Sequence, residues 1–184
     1  MSCVRFVIGV DPSGAFYEGK GTTGLAVYDI KNDSIVQVLT VSATDFDNLE
    51  EYLLGNLRAI LGLHYYYSHL CEDPKDVNET VVSIEDFLVY ATHAASFTNS
   101  KMETCQLIGL LRCELYRQKI KFYMRPASAV KSRWTDDILA HHDYIKKIGN
   151  HCYWKDRPKP LATHERDAIK HAVHCGKFEV NKNV

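Results

Sequence analysis

Three acids and a histidine stand where chemistry can gather. "VIGVD" (Val7–Asp11) is an apolar run that ends on Asp11, and "VVSIE" (Val81–Glu85) is a second that ends on Glu85. "HERD" (His164–Asp167) sets a histidine and an acid three residues apart, on one face of a helix. Carboxylates brought together repel one another, and some would then hold a proton. A divalent cation removes that conflict. Three carboxylates and one imidazole suit Mg²⁺ or Mn²⁺ better than Zn²⁺. Each residue also has an ordinary reading. Asp11 before Pro12 can start a turn, and His164 and Asp167 can be plain first-turn helix residues. Glu85 is the expected ligand over Asp86, because neighbouring strand residues face opposite sides. The joint placement, more than any one residue, points to a site.

The elements that must position these residues follow from hydrophobic periodicity. Val4–Val10, Gly21–Asp29 and Ile35–Val41 read as three strands in an antiparallel meander. A helix is expected from a Thr44 cap, with Phe46, Leu49, Leu53, Leu57, Ile60 and His64 at helical spacing. Cys71–Thr80 reads as a loop, Val81–Glu85 as a fourth strand and Thr92–Ser100 as a loop. A helix over Lys101–Lys119 leads to a fifth strand, Ile120–Pro126, stopped by its proline. A short helix through Ala129 and Val130 follows, then a helix from about Thr135 to just before Gly149. Asn150–Pro160 reads as a basic, aromatic loop, and the last helix runs from Thr163 to about Gly176. The tail Asn181–Val184 is expected to fray. The result is a mixed α/β protein, its later strands parallel and reached by helical crossovers. In such sheets, sites gather at the carboxyl ends of strands.

A chain of 184 residues suits one domain with a sizeable core. No run approaches the ~18 apolar residues of a membrane span, and the first residues show no basic region followed by an apolar core, so export is not expected. A cytoplasmic location is expected, and the six scattered cysteines then read as reduced thiols. The net charge of −1 conceals a division. Residues 1–111 hold six Lys/Arg against fifteen Asp/Glu, and residues 112–184 hold sixteen against eight. A basic second half is what a phosphate-backbone binder needs, although a solvated basic face has the same composition.

Four stretches together resemble the RuvC family of Holliday-junction resolvases. "IGVDPS" returning through "TTGLAVYD" resembles the family's opening hairpin, and "VVSIEDFLVY" the strand that carries its second acid. "RPASAVKSRW" resembles the basic segment after the last sheet strand, and "HERDAIKHAVH" the closing helix. The resemblance spans about Val4 to Gly176. It implies an RNase H-like fold: a five-stranded mixed sheet, three antiparallel strands then two parallel ones, flanked by helices. It also implies a homodimer that nicks four-way DNA junctions in pairs, leaving 5′-phosphates.

On this reading Asp11, Glu85, His164 and Asp167 hold two Mg²⁺ ions ~4 Å apart, with Mn²⁺ able to substitute. Asp11 bridges the ions, and His164 is a ligand or orients the water. Lys131 and Arg133 are the first candidates for DNA phosphates, followed by Arg125, Lys155, Arg157 and Lys159, with Lys20 in a glycine-flanked loop. Phe87 or Leu88 is the candidate wedge at the junction, with Tyr90 and Phe97 beyond. The location becomes the nucleoid, or the host cytoplasm for a phage protein. One departure is the enlarged turn "SGAFYEGKG" between Pro12 and Thr22.

Other readings stay open. The same acids serve a less selective nuclease for flaps, forks or RNA–DNA hybrids. "IGVDPSG" also resembles the phosphate loop of actin-like ATPases, which need two such domains. A non-catalytic junction-binding module is a third. His171 lies two turns from His164, ~10 Å along the axis, so the two cannot share an ion from that helix. Its readings are a hydrogen bond to Asp167 or simple packing. His151-Cys152 and His174-Cys175 match no standard zinc spacing.

Overall fold

The computed structural model describes residues 4–70, 79–87 and 102–180. β1 (Val4–Asp11), β2 (Thr22–Asp29) and β3 (Ser34–Ser42) form the meander. α1 (Leu49–Ser68) crosses to β4 (Glu79–Asp86), and α2 (Glu103–Arg117) precedes β5 (Phe122–Pro126). Two short helices follow, α3 (Ala127–Lys131) and α4 (Asp136–His141), then a hairpin of β6 (Lys146–Ile148) and β7 (His151–Tyr153). α5 (Thr163–Cys175) runs into a π-helical turn over Gly176–Val180. The sheet order is β3-β2-β1-β4-β5, antiparallel among the first three strands and parallel from β1 through β4 to β5. This is the expected five-stranded mixed sheet.

Strand alternation divides the core. Phe6, Ile8, Val10, Val82 and Ile84 face α1 and α2, and Val7 and Val81 face α5. The same alternation turns Asp11 and Glu85 toward α5. Asp86 falls on the other side, within the field of Cys105 on α2.

Three expectations change. The first helix is capped by Asn48, whose Oδ1 accepts the Glu51 N–H at 2.9 Å; Thr44 belongs to a separate 3₁₀ turn over Ala43–Asp45, capped by Ser42. Phe46 therefore lies outside the helix, its ring packed over Gly55. The expected helix from Thr135 ends at His141, because Asp143 takes a positive φ of 58° and Tyr144 turns inward to hydrogen-bond Asp33. The end of that stretch is β6, and β7 lies within Asn150–Pro160, expected as a loop; the two strands form a hairpin closed by Gly149 and Asn150. Gly149 has a φ of +57°, which glycine adopts without steric cost.

The enlarged turn after Asp11 is docked for half its length. Gly14 N–H donates to Thr104 Oγ1 at 2.9 Å and Phe16 N–H to Glu103 Oε2 at 2.5 Å, tying the loop to the first turn of α2. The Tyr52 hydroxyl donates to the Ser13 carbonyl at 2.6 Å. Only the tip, Tyr17–Lys20, stands out into solvent.

Candidate metal centre

Asp11 sits on the last position of β1, and Glu85 one residue past the Val10–Ile84 pair of the neighbouring parallel strand. Asp167 comes from the second turn of α5. Carboxylate oxygens of the three lie within 4.8 Å of one another. Asp11 is 4 % exposed and Asp167 5 %. His164, on the first turn of α5, places Nδ1 2.7 Å from Asp11 Oδ2. The four residues expected from sequence therefore meet, at the carboxyl ends of β1 and β4.

Glycines make the meeting possible. A Cβ on Gly9 would lie 2.1 Å from the Ala168 carbonyl oxygen, and one on Gly24 would lie 2.0 Å from that of His164. Gly24 is the cross-strand partner of Asp11. α5 thus rests directly on sheet backbone, closer than any side chain would permit. The start of α5 is held by Glu165, which is fully buried. Its carboxylate accepts from the Ala162 N–H at 2.8 Å, the Thr40 hydroxyl at 2.9 Å and Arg157 at 2.7 Å.

The charges around the acids are unequal. Lys131 Nζ lies 3.0 Å from Glu85 Oε2 and 2.7 Å from Asp167 Oδ2, and Lys170 adds a second bond to Asp167 at 2.9 Å. Burial pushes both carboxyls up, but these cations, with His171 beside Glu85, outweigh it and hold both below their ordinary values. The same pairing raises Lys131 against its own burial. Asp11 goes the other way: burial raises it and the repulsion of Glu85 adds to that, against the His164 bond and the charge of Lys131. That bond raises His164 in turn. A carboxylate raised by burial and facing two others completes a donor set that a hard divalent cation stabilises. The residues present fit Mg²⁺ or Mn²⁺.

The basic candidates are dispersed. Lys131 lies inside the acid cluster. Arg125 pairs with Glu179 at 2.8 Å, and Arg133 stacks 4.0 Å over the Phe178 ring. Arg157 is bound to buried Glu165, and Lys155 lies 4.7 Å over the Trp154 ring. Lys20 is 76 % exposed beside Glu18, and Lys159 is exposed. Phe87 is half-buried. Leu88, Tyr90 and Phe97 lie outside the described residues, as do Cys3 and Cys71. Among the described residues, no His/Cys cluster suited to zinc accompanies the acids.

His171 departs from its expected readings: its Nε2 lies 3.1 Å from Glu85 Oε2, not against Asp167. Its helix face was legible in the sequence, but its target depended on how deeply α5 docks. Glu165 and Lys170 gave no sequence signal beyond their place in the helix.

No protein-family model matches the sequence, and no curated protein does. Among solved structures, the chain is similar to RuvC of Thermus thermophilus in complex with a Holliday-junction substrate. The TM-score is 0.61 at 16 % identity, over 94 % of this chain and 93 % of the other. A second T. thermophilus RuvC structure matches with a TM-score of 0.59 at 16 % identity, over 96 % of each chain. No described helix is long and apolar enough to cross a membrane. Strand order, flanking helices and these likenesses agree that the chain has the RNase H-like fold of the RuvC structures.

Proposed function

We propose that this protein is a metal-dependent endonuclease that hydrolyses phosphodiester bonds of branched DNA, four-way junctions foremost. The observation that carries the reading is the convergence of Asp11, Glu85 and Asp167 with His164 at the carboxyl ends of β1 and β4. The likeness to a RuvC bound to a Holliday junction supports the choice of substrate.

Asp11, Glu85 and Asp167 hold the cations, two Mg²⁺ per site with Mn²⁺ as a substitute. When bound, they supply Lewis-acid charge to the scissile phosphate and acidify the attacking water. The chain's own groups do the rest. His164, tied to Asp11 through Nδ1 and partly open to solvent, keeps Nε2 to orient the water or accept its proton. Lys131 exchanges its bonds to Glu85 and Asp167 for a phosphate oxygen as substrate enters. The exposed Lys20 and Lys159 track the backbone of an arm. Two copies, one per strand, give paired nicks in the nucleoid or host cytoplasm.

The test is cleavage of a synthetic four-way junction with Mg²⁺, against a linear duplex of the same sequence. Wild type should cut the junction, and Asp11→Asn should lose cleavage by more than ~100-fold while still shifting the junction in a gel. Undiminished nicking by Asp11→Asn would overturn the assignment. Equal cutting of duplex and junction would point to the less selective nuclease.

A further inference from the structure

We propose that His171 holds Glu85 as a one-oxygen ligand and thereby sets which divalent cation the site accepts. The inference rests on the metal-site reading above. His171 is 0 % exposed and sits on the sheet-facing side of α5, one turn beyond Asp167. Its Nε2 is 3.1 Å from Glu85 Oε2, and its Nδ1 is buried without a hydrogen-bond partner. A ring that only filled space would leave two polar nitrogens needlessly desolvated, at a cost that leucine would avoid. Among the described residues, the one bond this ring makes is to a carboxylate of the candidate centre. With Nδ1 unpartnered, the proton belongs on Nε2, and the ring donates to Glu85.

The ring cannot retreat. Its neighbours Ala168 and Ala172 are the residues that meet Gly9, where a Cβ would lie 2.1 Å from the Ala168 oxygen and 2.7 Å from the Ala172 nitrogen. α5 is therefore fixed against β1 at this turn, and the imidazole is fixed with it. Glu85 Oε2 takes His171 on one side and Lys131, at 3.0 Å, on the other. Among the described residues, Oε1 has a single donor, Lys131 at 3.2 Å. When Lys131 leaves, Oε1 is open and Oε2 is still bonded to the ring.

That asymmetry discriminates between ions. Mg²⁺ demands compact octahedral geometry at 2.0–2.1 Å and is met by single carboxylate oxygens, whereas Ca²⁺ takes six to eight oxygens at 2.3–2.6 Å and gains from carboxylates that use both. A glutamate with one oxygen occupied favours the smaller ion. His171 is thus a positioning residue acting through Glu85.

The experiment is calorimetric titration of the full chain, without DNA, with Mn²⁺ and separately with Ca²⁺. Four proteins are compared: wild type, His171→Gln, His171→Asn and His171→Leu. The glutamine amide reaches the place of Nε2 and should keep the wild-type preference for Mn²⁺. The asparagine amide is polar but too short, and leucine has no donor. Both should weaken Mn²⁺ binding about 10- to 100-fold while Ca²⁺ binding falls less, so that the preference shrinks. The Gln and Asn pair carries the test even where the leucine variant folds poorly. Equal losses for both ions, or a glutamine variant that behaves like asparagine, would overturn the inference and leave the metal site standing. Wild type binding neither ion would overturn the metal-site reading itself, and the inference with it.

Discussion

Asp11 and Asp33 show how neighbours decide the chemistry of one side-chain type. Asp11 is buried beside another carboxylate and is pushed up. Asp33, in the β2–β3 turn, is also raised by what burial it has, but it accepts from Lys177, Tyr144 and Tyr28, and these bring it down to about 2. A folded value below the unfolded one, ~3.9, means stability that is present above about pH 4. It is lost as pH falls through about 2. Other carboxylates titrate in the same window, so the readout is a difference. Wild type should lose more melting temperature than Asp33→Asn between pH 4 and pH 2, and parallel curves would contradict the staple. The effect should be modest, because the Asp33 side chain is 51 % exposed. At this scale the convergence of Asp11, Glu85, His164 and Asp167 was legible in the sequence, since strand ends and helix spacing place them. The partners of Lys131 and His171 were not, because which acid a helix face meets depends on a docking depth that no periodicity encodes.

That depth is a property of elements. Gly9 on β1 and Gly24 on β2 touch the backbone of α5, whereas Gly62 on α1 and Gly109 on α2 look into open space. The same substitution should therefore have opposite signs. Gly9→Ala and Gly24→Ala should each destabilise by about 1–3 kcal/mol through overpacking. Gly62→Ala and Gly109→Ala should stabilise by about 0.5–1 kcal/mol by removing helix-interior glycine. Gly24→Ala should also weaken Mn²⁺ binding, because it pushes on His164 beside Asp11. Urea denaturation of the four variants checks the signs, and uniform destabilisation would contradict the account. Element boundaries were legible where apolar periodicity was long, as in β1, α2 and α5. The Thr44 cap failed because Ser42 and Asn48 offered better cap geometry on either side. The β6–β7 hairpin was hidden because its strands are three residues long and set among polar, aromatic residues.

In the whole molecule, α1 and α2 cover one face of the sheet and α5 the other, and the acids gather where β1, β4 and α5 come together. This order was readable from connection lengths: short turns among the first three strands, long helical crossovers to β4 and β5. The charge division was readable too, but not its use, because several of the arginines and lysines are spent on internal acids. An ion that binds only the folded protein should raise its stability by about 2.7 kcal/mol at a hundredfold excess over Kd. Mn²⁺ should therefore raise the melting temperature of wild type and not of Asp11→Asn, as scanning calorimetry would read, and an equal rise in both would mean binding elsewhere. The His164–Asp11 contact joins positions 153 residues apart, with α5 the last α-helix described. A growing polypeptide thus carries Asp11 and Glu85 long before it carries their third partner. On the proposed nuclease reading, the nascent chain holds an unfinished blade until α5 has been synthesised and has settled onto Gly9 and Gly24.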